Sequence, residues 1–164
     1  MAHQDLVLAW LNDAHGMELG IVQVLERHAN EAKDHPVLHA RLQEHLEETR
    51  RHAELVKGCV ERLGGDTSAV KSGMASVIGA LQGMATKLAK DELVKNALQD
   101  YGTEQVEIAS YTSLIAAAES LGDRQTAAVC QQILQEEQAM AAFLIEQIPV
   151  ATIETLRRTQ AAHR

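Results

Sequence analysis

Aromatic side chains are almost missing from this 164-residue sequence, which holds one Trp, two Tyr and one Phe. Hydrophobic residues nevertheless make up 46% of it. The core must therefore be assembled from Ala, Leu, Val, Ile and Met, which suits close-packed helices better than a sheet. Proline is equally scarce, with Pro36 and Pro149 alone, so little interrupts long helices. The two cysteines, Cys59 and Cys130, stand in separate segments without a CxxC spacing, which suggests neither a redox motif nor a zinc site. Buried inert thiols are expected. Positive charge is also short. A formal net charge of -8 with no dense basic stripe repels phosphate backbones and anionic lipid, so neither nucleic acid nor membrane is an expected partner. No apolar run reads as long enough to cross a bilayer, and the start, MAHQDLVLAW, lacks the basic and apolar regions of a signal peptide. A single cytoplasmic domain over residues 1–164 is expected.

The two prolines and the glycine pairs punctuate long periodic segments. A first helix is expected from about Asp5 to Lys33, carrying Val7, Leu11, Ala14, Ile21, Leu25, Ala29 and Ala32 at helical spacing. A second runs from Pro36 to Leu63, where Gly64 and Gly65 end it. The stretch from about 66 to 90 is interrupted by Gly73, Gly79 and Gly83 and reads as a crossover of shorter helices. Asp91 is a cap for a third helix ending near Leu121, and Gly122 with Asp123 joins a C-terminal glycine to the next cap. The fourth helix is expected to stop at Ile148 before Pro149, leaving a short separate helix over about 152–160 outside the bundle. Two tightly turned pairs joined by one long connection predict an all-α, ferritin-like antiparallel four-helix bundle with a helical crossover.

Each long helix places a glutamate on or beside its inward stripe. At about 100° per residue, Glu18 falls inside the first stripe and Glu137 inside the fourth. In the third helix Glu104 is central and Glu107 marginal; in the second Glu48 is marginal, His45 and His52 are inside, and Glu47 faces away. Converging carboxylates in an apolar core repel one another and are costly to desolvate unless cations or protons compensate. Few buried Lys or Arg offer themselves, so bound divalent metal, built from Glu and His of four facing helices, is the natural compensation. The intervals from Glu18 to Glu48 and from Glu107 to Glu137 are equal, which adds a hint of two-fold internal repetition. His45 and His28 read as core histidines hydrogen-bonded to neighbours, while His15, His35 and His39 read as exposed. Tyr111 is either packing or a hydrogen-bond donor beside the carboxylates.

The segments MELGIVQVLERHA (17–29), EHLEETRRHAE (44–54) and VEIASYTSLIAAAESLG (106–122) resemble the YciE/YciF-type ferritin-like stress proteins of bacteria, over about residues 5–148. That resemblance implies a homodimer, a dinuclear metal site with at most two Fe or Mn ions, and a link to stress. Carried over position by position, it implies Glu18, Glu48, His52, Glu107 and Glu137 as metal ligands, with Glu104 completing a third-helix ExxE like that of rubrerythrin-like sites.

The pattern departs from the usual paired Glu-x-x-His. Glu48 and His52 are four apart, and Met140 and Ala141 stand where a fourth-helix histidine would be. One nitrogen-bearing position near Glu48 and His52 and one oxygen-only position near Glu107 and Glu137 are expected. An oxygen carrier of the hemerythrin kind is disfavoured, since it needs histidines on more than two helices. The functions left open are a di-iron or dimanganese centre that oxidises Fe(II) or consumes peroxide, and a non-enzymatic structural or interaction protein with a degenerate site. Nothing in the sequence speaks for iron storage in a cage.

Overall fold

The computed structural model describes residues 2–70 and 91–161, and within them the chain is a four-helix bundle. The helices are α1 (Ala2–Glu31), α2 (Pro36–Arg62), α3 (Glu92–Ser120) and α4 (Arg124–Ala161), with a short 3-10 turn at Thr67–Val70. Short turns make α1 antiparallel to α2 and α3 antiparallel to α4, and these are the two extensive pairings. The α2–α4 and α1–α3 contacts close the bundle. No strand occurs among the described residues. The expected crossover with its glycines lies outside them apart from the 3-10 turn.

The predicted stripes form one core. Leu11, Ile21 and Leu25 of α1, Leu42 and Val56 of α2, Leu114 of α3 and Ile133, Met140 and Leu144 of α4 are all buried in a single cluster. Each such side chain contributes about 1.5–3 kcal/mol when fully buried. Both cysteines are buried and free.

The turns follow local chemistry. Gly64 and Gly122 have φ of 80° and 72°, the left-handed region that an L side chain enters at a cost. Asp123 then accepts the backbone N–H of Thr126 at 3.1 Å, capping α4. Asp91 caps differently from expectation. Its carboxylate makes no cap hydrogen bond and instead pairs with Lys95 at 3.0 Å. Gly122→Ala is expected to lower stability by about 1 kcal/mol, a fall of roughly 2–4 °C in Tm. A thermal melt checks it, and an unchanged Tm would mean that the turn relaxes freely.

Two expectations about the C-terminal part are corrected. Helix α4 does not stop at Ile148, and residues 152–160 are not a separate short helix: α4 continues unbroken through Pro149 to Ala161. Proline removes one helical N–H and leaves the carbonyl four residues back without its donor. Pro149 and Ile145 lie on the exposed face, where water can take that carbonyl. Beyond it, buried Ala151 and the 2.9 Å contact of Glu154 with His35 hold the extension against the α1–α2 turn. By length and composition α4 also meets the measure of a membrane span, with 22% of its most apolar window buried. Ile145, Val150, Ile153 and Leu156 supply that exposed apolar surface.

Candidate metal centre

All four helices bring acid or imidazole to the middle of the bundle. Glu18 of α1, His45 and His52 of α2, Glu104 and Glu107 of α3 and Glu137 of α4 are each at most 1% exposed. Five of these six fall into two groups whose ligand atoms lie within 4.8 Å of one another, Glu18, His52 and Glu137, and His45, Glu104 and Glu137, while Glu107 joins neither. Glu137 belongs to both. Its Oε1 lies 2.8 Å from His52 Nδ1, and its Oε2 lies 3.4 Å from His45 Nε2.

These atoms are poorly satisfied by the protein. Glu18 Oε2, Glu104 Oε2, His52 Nδ1 and both oxygens of Glu107 and Glu137 are buried without a hydrogen-bond partner. The 2.8 Å separation of His52 Nδ1 from Glu137 Oε1 is short, yet the two lack hydrogen-bond alignment. Two donors on one ion at about 2.0–2.2 Å sit roughly 3–3.5 Å from each other. Convergence at that spacing is what a shared cation requires, and unpaired buried polar atoms are otherwise rare. The donor set therefore fits divalent metal.

Electrostatics agree. Burial pushes Glu18 up to about 8, reinforced by Glu137 and opposed by His52 and a short hydrogen bond from Tyr111. Burial likewise holds Glu104 and Glu107 well above the ordinary carboxylate range. For Glu107 every neighbour named, Glu137, Glu18, Glu104 and Asp100, adds to the rise. Glu137 goes the other way: burial raises it, but His52, Glu104 and His45 together bring it below its usual value. Burial alone would lower His45, yet Glu104 and Glu48 carry it up to about 10. His52 is raised as well, against its burial, by Glu137, Glu18 and Glu136. Without metal, the site is a cluster sharing protons.

Glu107 is the clearest liability. Its substitution by the similarly sized Leu removes two unpartnered oxygens, so Glu107→Leu is expected to stabilise the metal-free protein by about 2 kcal/mol. Calorimetry in chelator should show Tm rising by roughly 4–8 °C. A fall would identify a structural hydrogen bond at this carboxyl.

The remaining expected residues are placed as follows. Glu48 joins neither group. It is half-buried, and its Oε2 lies 2.8 Å from His45 Nδ1 and 3.1 Å from Arg41 Nη1, which bring it down to about 2 against the upward push of burial. Thr49, buried beside it, turns its hydroxyl back to the His45 carbonyl at 2.9 Å. Neither group is oxygen-only, because His45 supplies a nitrogen to the one containing Glu104. Met140 and Ala141 are simply core. Glu136, which the sequence did not single out, reaches behind His52, its Oε2 2.6 Å from His52 Nε2. Its one signal was its place beside Glu137. His28 is a core histidine as expected, 2.6 Å from Asp100. His15 is buried rather than exposed, and its burial lowers its pKa. His35 and His39 are half-buried, His39 donating to the Ala29 carbonyl at the end of α1.

Residues 2–157 match the family described as domain of unknown function DUF892. The chain belongs to the DUF892 family. A protein of Xanthomonas campestris pv. campestris is 30% identical, with a TM-score of 0.83 and coverage of 98% of this chain and 99% of that one. The Escherichia coli stress protein YciF is 24% identical with a TM-score of 0.75, covering 92% of this chain and 96% of its own. The bacterioferritin of Desulfovibrio desulfuricans, whose structure was described for its diiron site, is 24% identical with a TM-score of 0.73, covering 99% and 88%. These last two likenesses establish the fold. Within this DUF892 chain, the inward face of the ferritin-like bundle is where the two groups sharing Glu137 are found.

Proposed function

We propose that this DUF892 protein binds two divalent metal ions, iron or manganese, in the bundle core and serves a stress-related role. The shared position of Glu137 between two histidine-bearing groups, with its oxygens unpartnered, carries this reading. One ion would be held by Glu18, His52 and Glu137, the other by His45, Glu104 and Glu137, with Glu107 contributing the fourth carboxylate. Charge supports the stoichiometry, since two dications neutralise four buried glutamates while both imidazoles ligate in neutral form. Nitrogen and carboxylate donors together suit iron, manganese or zinc. When bound, iron or manganese supplies redox chemistry: loss of electrons to an oxidant such as peroxide. The protein's own contribution is to exclude water, position the donors, and place the Tyr111 hydroxyl on Glu18.

Chelator-treated protein titrated with Fe(II) under anaerobic conditions, and with Mn(II) and Zn(II), is expected to bind two ions per chain and gain Tm, as any ligand selective for the folded state stabilises it. Peroxide added to the Fe(II)-loaded chain tests turnover. No rise in Tm with any of the three metals would leave the non-enzymatic structural reading in place.

A further inference from the structure

The two histidines turn opposite ring nitrogens toward the centre. In His45, Nδ1 faces Glu48 at 2.8 Å, and Nε2 lies 3.1 Å from Glu104 Oε1 and 3.4 Å from Glu137 Oε2. In His52 the roles are reversed. Nε2 faces Glu136 at 2.6 Å, and Nδ1 lies 2.8 Å from Glu137 Oε1 and 3.8 Å from Glu18 Oε2. Each outer carboxylate is in turn held by an arginine: Arg41 Nη1 lies 3.1 Å from Glu48, and Arg51 Nη2 lies 2.8 Å from Glu136.

Helix geometry accounts for the reversal. His45 and His52 are two turns apart on α2, roughly 10 Å along its axis, and both converge on Glu137. Helical side chains lean toward the helix N-terminus. His52, on the C-terminal side, leans toward the centre and meets it with the near nitrogen, Nδ1. His45 leans away and reaches back with the far nitrogen, Nε2.

A neutral imidazole carries one N–H, and the carboxylate that accepts it decides which lone pair is left for a metal. Building on the metal-centre reading above, we propose that His45 binds metal through Nε2 and His52 through Nδ1. Glu48 and Glu136 are the positioning residues that set these tautomers, with Arg41 and Arg51 fixing the two carboxylates. The outer partners differ in origin. Glu48 comes from the same helix as its histidine, whereas Glu136 crosses from α4, so the tautomer of His52 depends on α2–α4 packing while that of His45 is set by a contact within α2.

The test uses the full chain labelled with 15N-histidine and loaded with Zn(II), a diamagnetic probe. Long-range 1H–15N correlation reports which nitrogen of each ring carries the proton. The expected result is one metal-bound ring protonated at Nδ1 and one at Nε2, assigned by the loss of one pattern in His45→Ala and the other in His52→Ala. Glu48→Ala and Glu136→Ala should each weaken one Zn(II) step by about 10–100-fold, with partial recovery in Glu48→Gln and Glu136→Gln, which keep an acceptor oxygen. The same nitrogen bound in both rings would overturn the proposal, as would alanine variants that leave both steps unchanged while two ions still bind. No Zn(II) binding by the wild type would overturn the metal centre itself, and this assignment with it. The spectrum of the wild type decides the tautomers whether or not any variant folds.

Discussion

Glu137→Ala is expected to lose both metal ions at once, whereas Glu18→Ala and Glu104→Ala should each weaken chiefly one. Glu137 is common to both groups, and its two oxygens face different histidines, Oε1 toward His52 and Oε2 toward His45. Removing one partner of a buried ionic set typically costs 3–5 kcal/mol. That corresponds to a fall of roughly a thousandfold in affinity at each position. The metal-free protein should also be less stable, in contrast to Glu107→Leu, because Glu137 is the counter-charge of two buried imidazoles raised above their ordinary values. Calorimetric titration with Mn(II) or Zn(II) measures the first effect, and Tm in chelator the second. A variant that keeps one ion at wild-type affinity would show that Glu137 serves a single position. Glu137→Gln, which preserves volume, guards against a trivial packing loss.

The second large effect is a reversal of pH dependence on metal loading. Glu18 rises from 4.5 to about 8 in the folded metal-free chain, and Glu104 and Glu107 rise with it. A raised folded pKa contributes stability that is complete below the unfolded value and is lost as pH climbs through the folded value. For Glu18 that window runs from about 4.5 to about 8. His45, raised from 6.5 to about 10, loses its contribution over that higher interval, so both groups act in the same direction. Glu48, lowered from 4.5 to about 2, acts oppositely, and its contribution disappears only as pH falls toward 2. Metal-free protein should therefore melt at its highest temperature in mild acid and at steadily lower temperatures toward pH 9. Metal binding requires deprotonated carboxylates and neutral imidazoles, so affinity increases with pH. The Tm difference between loaded and chelated protein should widen from pH 5 to pH 8 by many degrees. A flat or rising curve in chelator would mean that the cluster is not sharing protons in the core.

Helical phase made much of this protein legible. The stripe from Val7 to Ala32, the glycines at 64 and 122 and the scarcity of proline specify long helices and their pairing, because a 3.6-residue period and left-handed turn geometry are local properties. The same phase placed Glu18, His45, His52, Glu104 and Glu137 inside and left Glu48 and Glu107 at the margin. Phase fixes the direction of a Cβ and little more. A marginal glutamate such as Glu48 can turn to the core or away from it, and its carboxylate lies with Arg41 and the outer nitrogen of the His45 ring instead of in either group. Glu136 lies one residue from an inward carboxylate, and only the packing of α4 on α2 sets it behind His52. The continuation of α4 past Pro149 depended on an exposed carbonyl and on Glu154 reaching His35, contacts between segments more than a hundred residues apart. Axial stagger between helices and the rotamers of long acidic side chains arise from the assembled bundle, since the partners that select them come from other helices.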